Sequence, residues 1–271
     1  MMKRALLLCA FGVLTTLSFA QDDTLRTRLV IETDSGNITV ELYNETPLHK
    51  ENFIKLANKG FYDGATFHRV IERFMIQGGN PATKEGQEGK PDGPGYTIPA
   101  ELNGNFVHKK GAICAARQGD NVNPQRASSG SQFYIVHGRK FEDKDLDMLE
   151  QRINQDIRNK AMQAFFARKE NKEYLDRLKA AKQEANQEEL KAVTDEVTPM
   201  IDAWMENKHF SYSEEQREVY KTLGGAPHLD MQYTIFGEVV DGLDVVDKIA
   251  GCPKQGEMPD PAIRMNIRVV E

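Results

Sequence analysis

The stretch FHRVIERFMIQGG, residues 67–79, sets Arg69 at the head of one apolar run and starts a second run after Glu72 and Arg73. Side chains two apart in a strand share a face, so Met75 and Gln77 look the same way. The same spacing in GSQFYI, residues 130–135, puts Gln132 and Tyr134 together. Each run thus pairs an amide with a large apolar side chain. Arg69 beside them completes a surface suited to a peptide, with apolar area for a side chain and donors for its backbone. Taken singly these residues say little, because Met is most often core and Gln and Arg are most often solvated.

Outward from these runs the composition changes twice. Residues 21–142 read as short β runs broken by glycine and proline. Residues 29–33 and 37–42 flank Asp34-Ser35-Gly36, a hairpin pattern. A helix follows, with Thr46 as cap, Pro47 at its first position, an apolar face of Phe53, Ile54, Leu56 and Ala57, and Gly60 as stop. Residues 86–95 hold four glycines and two prolines and read as a loop.

Residues 143–224 differ in kind: charged, free of glycine until Gly224, and apolar at helical spacing. Leu146, Leu149, Ile153 and Ile157 predict one helix, and Tyr174, Leu175 and Leu178 another. Val193, Val197, Ile201 and Trp204 carry the spacing through Pro199, where a kink or a break is expected. Ser211-Tyr212-Ser213-Glu214 reads as a capping box for a last helix that Gly224 and Gly225 end. From residue 225 to 271 the β character returns: a strand over 233–240, a short helix over 244–249 and a strand over 263–270. β segments on both sides make the helical block an insertion into one β domain.

The first 20 residues have the pattern of a signal peptide: a basic start at Lys3 and Arg4, an apolar run to Leu17, then Ser18-Phe19-Ala20 with small residues where a peptidase looks. The run is short for a membrane span, and Cys9 falls in its middle, which argues against a lipid anchor. Cleavage after Ala20 removes two basic residues and moves the formal charge from −6 to −8. That balance speaks against nucleic acid as a main partner, and no stable membrane insertion is expected after cleavage. Only Cys114 and Cys252 remain, too few for a disulfide framework; the sequence leaves open whether they pair. The histidines, His49, His68, His108, His137, His209 and His228, form no metal-binding spacing, so neither a metal nor another cofactor is expected.

FHRVIERFMIQGG and GSQFYI, with HLDMQYTIFGEVVDG at residues 228–242, resemble the signature blocks of the cyclophilin-type peptidyl-prolyl cis-trans isomerases. The resemblance covers residues 28–141 and 225–270 and leaves the helical block outside. It implies a mainly β fold, an eight-stranded antiparallel β-barrel capped by two helices, here carrying a long α-helical insertion. The interior of such a barrel is packed, so the site lies on its outer wall. Arg69 matches the family's catalytic arginine. Phe74, Met75, Tyr134 and Leu229 match its proline pocket, and Gln77 and Gln132 the amides that hold the peptide backbone. Ala116, Arg117 and Gln118 match the adjoining groove, with Arg117 where many members have Asn. Tyr134 stands where Phe is frequent, His228 where Trp is frequent and Tyr233 where His is frequent, departures that bear on substrate preference.

The resemblance implies an isomerase acting on X-Pro bonds, and the signal-peptide pattern makes exported or unfolded polypeptides the expected substrates and the periplasm the expected compartment. The competing reading, from another class, is a module that holds proline-containing segments without turnover, its helical block serving as chaperone arm or self-association surface. On that reading Tyr174, Leu175, Leu178 and Trp204 are exposed; in a simple insertion they pack inward.

Overall fold

The computed structural model describes residues 25–206 and 208–270, so the expected leader and its cleavage point lie outside the described residues. The first hairpin forms as expected, β1 (Arg28–Thr33) and β2 (Gly36–Leu42). After it come β3 (Ala65–Thr66), β4 (Arg69–Ile71), β5 (Met75–Gly78), β6 (Thr97–Ile98), β7 (Ala112–Ala115), β8 (Ser128–Ser129) and β9 (Phe133–Val136). Beyond the helical block follow β10 (Ile235–Asp241), β11 (Lys254–Gln255), β12 (Met258–Pro259) and β13 (Arg264–Val270). Nine of these make one antiparallel sheet in the order β3-β13-β1-β2-β10-β7-β9-β5-β4.

The sheet curls around one apolar core. Ile31, Ile38, Val40 and Leu42 meet Ile76, Ile113, Ile135 and Ile267 there, with Phe53, Tyr62, Phe133 and Phe236 at its centre. Each such side chain contributes about 1.5–3 kcal/mol when fully buried. Two helices close the ends: α1 (Pro47–Asn58) through Phe53, Leu56 and Ala57, and α6 (Leu243–Ala250) through Val245, Val246, Ile249 and Ala250. The curled antiparallel architecture with two capping helices is as expected, but the sheet has nine strands where eight were expected, and its end strands β3 and β4, only two and three residues long, do not pair with each other. Helix, about 38% of residues, outweighs strand, about 22%, so "mainly β" describes the barrel and not the chain.

The cap of α1 differs from expectation. Thr46 makes no side-chain capping bond; the Glu101 carboxylate, 52 residues from His49, accepts from the N–H groups of Leu48 at 3.1 Å and His49 at 3.0 Å. A negative group suits that end of the helix dipole, and no local spacing announces it.

The helical block comprises α2 (Asp143–Phe166), α3 (Lys172–Gln183), α4 (Gln187–Met205) and α5 (Glu214–Thr222). α4 runs unbroken through Pro199 instead of breaking there. Pro199 and Asp195, whose carbonyl loses its helical donor, both lie exposed, where water can replace it. The capping box of α5 is Ser213 with Gln216, not Ser211 with Glu214. The two ends of the block meet: the N–H of Arg139 donates to the Gly225 carbonyl at 3.0 Å, and that of Gly225 to the Arg139 carbonyl at 2.9 Å. Glycine is needed at 225, because a Cβ there would run into the His108 carbonyl and the Tyr220 ring. Cys114 and Cys252 are both free, Cys114 fully buried.

Candidate active site

Strand register builds the site. Arg69 of β4 pairs with Gln77 of β5, Gln77 with Tyr134 of β9, and Tyr134 with Cys114 of β7. Directly paired residues face the same way, so these four form a row across the outside of the barrel. The alternate residues Ile76, Ile135 and Ile113 point into the core. A second apolar cluster therefore covers the outer face, with Met75, Cys114 and Tyr134 buried in it and Phe74, Ala116, Leu229 and Tyr233 packed at its edge. His228 stands exposed at the rim, its ring 5.3 Å from that of Phe74.

The polar groups around this cluster are held in place. Arg69 donates through Nε to the Glu257 carboxylate at 2.6 Å, and its terminal nitrogens have no partner among the described residues. Glu257 sits in the β11–β12 hairpin, docked on β4 by a bond from the Val70 N–H to the Glu257 carbonyl at 2.7 Å. Gln77 donates its amide to Gln132 at 3.1 Å, and Gln132 in turn donates to the Asp92 carbonyl at 3.0 Å. Arg117 is spent on the wall: it lies over the Tyr233 ring at 4.5 Å, pairs with Asp120 and donates to the Gln232 carbonyl. Gln118 stands exposed beyond it, its carbonyl accepting from Arg117 at 2.8 Å. His68 precedes β4 and lies off the row; burial lowers its pKa, and its Nδ1 is buried without a partner.

Behind the row runs a buried polar network that sequence reasoning missed. The Tyr134 hydroxyl lies 3.1 Å from His108 Nε2, and His108 Nδ1 lies 2.7 Å from the Asp230 carboxylate. Asp230 also accepts from the His108 N–H at 2.8 Å, from the Tyr212 hydroxyl at 2.7 Å and from the Tyr220 hydroxyl at 2.6 Å. In the tautomer that gives Nδ1–H to Asp230, Nε2 is free to accept from Tyr134. Burial, aided by the Asp230 charge, pushes both phenols of the helical block well above their usual pKa, so they remain donors. Burial likewise raises the Cys114 thiol, which makes it an inert packing group.

Of the twelve residues expected from sequence, Phe74, Met75, Ala116, Tyr134, Leu229 and Tyr233 fall in one apolar cluster. Strand register brings Arg69 and Gln77 beside Tyr134, Gln132 bonds Gln77, Arg117 lies over Tyr233 and His228 packs near Phe74, while Gln118 stands exposed outside the cluster. Glu257, Asp92, His108 and Asp230 were not foreseen, since their partners lie 188, 40, 26 and 122 residues away. The only sequence hint is an aspartate next to an apolar pocket residue, Leu229.

The family model for cyclophilin type peptidyl-prolyl cis-trans isomerase/CLD matches residues 28–194 and 203–270. The match crosses most of the helical block, further than the 28–141 and 225–270 expected from the motifs. Peptidyl-prolyl cis-trans isomerase B of Bacillus subtilis is 46% identical over 116 residues, 42% of this chain and 73% of that protein. A peptidyl-prolyl cis-trans isomerase of Synechococcus elongatus is 44% identical over 113 residues, 41% of this chain and 69% of that one. A crystal structure of a Cryptosporidium parvum cyclophilin type peptidyl-prolyl cis-trans isomerase superposes with a TM-score of 0.53 over 91% of this chain and 99% of its own, at 18% identity. A second structure of that protein, in the presence of the dipeptide Ala-Pro, superposes at 0.52 over 90% and 99%, at 17% identity. A curled antiparallel barrel, a row of arginine and amides beside an apolar wall, and these matches agree: the chain belongs to the cyclophilin-type peptidyl-prolyl cis-trans isomerases.

Proposed function

We propose that the isomerisation takes place over the row from Arg69 to Tyr134, with proline against Phe74, Met75, Tyr134 and Leu229 and the flanking backbone on Gln77 and Gln132. The observation that carries this is the state of Arg69, held through Nε by Glu257 while its terminal N–H groups have no partner among the described residues, in the register row that runs through Gln77 to Tyr134 of the apolar cluster.

The mechanism follows from the bond being turned. Both isomers of an X-Pro bond lie within about 1 kcal/mol, yet rotation costs roughly 18–20 kcal/mol because amide resonance must be lost. The planar amide carries negative charge on oxygen and positive character on nitrogen, which water favours. At the twisted geometry the nitrogen lone pair is released and becomes an acceptor. An apolar wall withdraws water from the planar form, and Arg69 donates to the freed nitrogen, so the twisted state is bound in preference. An acceleration of five decades needs about 7 kcal/mol of such preference. One charged hydrogen bond supplies about 1.5–3 kcal/mol, so desolvation and alignment supply the larger part. Arg69→Ala is expected to abolish most turnover with the fold intact, read by proton NMR exchange of a short Ala-Pro peptide; near-normal exchange in the folded variant contradicts the assignment.

The substrates are proline-containing segments of exported, incompletely folded polypeptides met in the periplasm; the basic start and apolar run of residues 1–20 support this. N-terminal sequencing of protein from its native compartment tests it, and a start at Met1 opposes it. For the alternative of a holding module, Trp204 is 42% exposed, whereas Tyr174 and Leu178 pack into a core within the helical block. The open donors of Arg69 favour the enzyme.

A further inference from the structure

Between the barrel and the first turns of α2 lies an open groove of about 490 Å³, lined by Arg73, Arg139, Arg152, Met148, Leu149 and His228 among others. Its three arginines come from three places in the chain. Arg73 occupies the tight turn between β4 and β5 at φ +61, where its N–H donates to His137 Nδ1 at 2.8 Å, and Phe74 of the pocket wall follows it directly. Arg139 stands at the point where the helical block leaves the barrel, its guanidinium over the Phe141 ring at 4.3 Å. Arg152 projects exposed from α2.

These arginines are unlike the others. Fourteen lie among the described residues, and all but Arg73, Arg139, Arg152 and Arg168 have a carboxylate within 4.0 Å. Three of the four without one line this groove, on a chain whose net charge is −6. The one carboxylate there, Asp145, is turned onto its own helix start, accepting from the Glu142 N–H at 3.3 Å. An acidic protein thus keeps uncompensated positive charge at one spot. That spot adjoins the pocket, because His228 lines the groove and packs on Phe74. Although part of its surface is exposed, His228 is desolvated on the side packed against Phe74, and this together with His108, Arg152 and Arg139, against the opposing Asp230, lowers its pKa, so it adds little charge at neutral pH.

We infer that this groove is a second substrate subsite, which takes an aspartate or glutamate side chain lying within a few residues of the proline seated against Phe74. This rests on the isomerase reading of the adjoining pocket. The exposed side chains of Met148 and the partly buried Leu149 give the stem of that residue and its neighbours an apolar floor. Half the subsite belongs to α2, so the helical block takes part in choosing substrates. An exposed ion pair shifts an equilibrium by up to about fivefold, and engagement of one or two arginines therefore predicts an advantage of about three- to tenfold for acidic peptides.

The test compares Ala-Pro peptides of equal length carrying Asp, Asn or Lys at successive positions on either side of the proline. Exchange efficiency is read by NMR with the full mature chain at low salt and at 1 M salt. The expected result is the order Asp above Asn above Lys at one or two positions, flattening at 1 M salt, where the screening length falls to about 3 Å. Arg152→Glu and, separately, Arg139→Glu should shrink or reverse the Asp-to-Lys ratio. Equal rates for the three peptides, or a ratio unchanged in both variants, overturn the subsite while leaving the isomerase in place. Absence of exchange with every peptide, including the neutral one, overturns the isomerase reading itself.

Discussion

The near and far parts of the helical block are built on opposite principles. In the near part, Leu146 and Ile153 of α2 and Tyr220 of α5 share one buried cluster with Val107 and Phe141 of the barrel and with Phe210 and Tyr212 of the returning chain. Polar bonds lock the same region. Asn154 exchanges two hydrogen bonds with the Phe210 backbone, both at 2.8 Å, and Asp156 pairs with the buried Arg126. In the far part, Ala161, Val193, Val197 and Ile201 pack with Phe165, Tyr174 and Leu178, all from α2, α3 and α4. Near residues are therefore part of the barrel's structure, while the apolar packing of the far residues is with each other, joined to the near part by the exposed Arg158–Asp202 pair. An insertion defined by sequence is not one unit in energetics.

The largest effect should come from the node that joins near part to site. Asp230→Ala removes the common acceptor of Tyr212, Tyr220 and His108 and strands those donors in a buried place. A loss of about 3–5 kcal/mol or more is expected, read from the shift of the urea midpoint. A shift below about 1 kcal/mol would mean that water satisfies the node and that the near part is not bound in.

Tyr220→Phe asks the same question more gently. It withdraws one of four bonds to the carboxylate and should cost about 1.5–3 kcal/mol, as hydrogen bonds to charged groups do. The peptide-exchange rate should fall less than in Arg69→Ala, since Tyr134 keeps His108.

The smallest effect concerns the barrel alone. Glu257→Gln weakens an ion pair whose members are 41% and 52% exposed, so stability should move by less than about 0.5 kcal/mol. Exchange should nevertheless drop by about two- to fivefold, because the guanidinium loses its anchor. An unchanged rate would show that Arg69 orients itself.

Much of this was legible in the sequence, for a definite reason. A strand's two-residue period assigns faces, and FHRVIERFMIQGG with GSQFYI contains enough of that period to foretell which side chains share the outer wall. The helical spacing of Leu146, Leu149, Ile153 and Ile157 likewise foretold α2. What stayed hidden depends on contacts between distant residues. The Glu101 cap on α1, Glu257 on Arg69 and Asp230 beneath Tyr134 are each made by folding, and no local spacing encodes them. The misplaced capping box shows the limit at short range too: Ser211 and Ser213 both offer the motif, but the Tyr212 N–H is taken by the Glu150 carboxylate at 3.0 Å and the box forms at Ser213 with Gln216. Sequence treated residues 143–224 as one block because charge and helix spacing persist throughout, whereas the division within it is set by what the apolar faces meet.

The most direct test of that division is peptide exchange and urea stability in a chain whose far part, residues 161–206, is replaced by a short Gly-Ser linker. Arg158 would lose its ion pair with Asp202, but Asn154, Asp156, Tyr212 and Tyr220 would remain. The account predicts a folded protein with the Ala-Pro exchange rate within about twofold of the full chain and the Asp230 node intact. Loss of exchange, or unfolding, in the trimmed chain would contradict it and make the whole helical block a single support for the site.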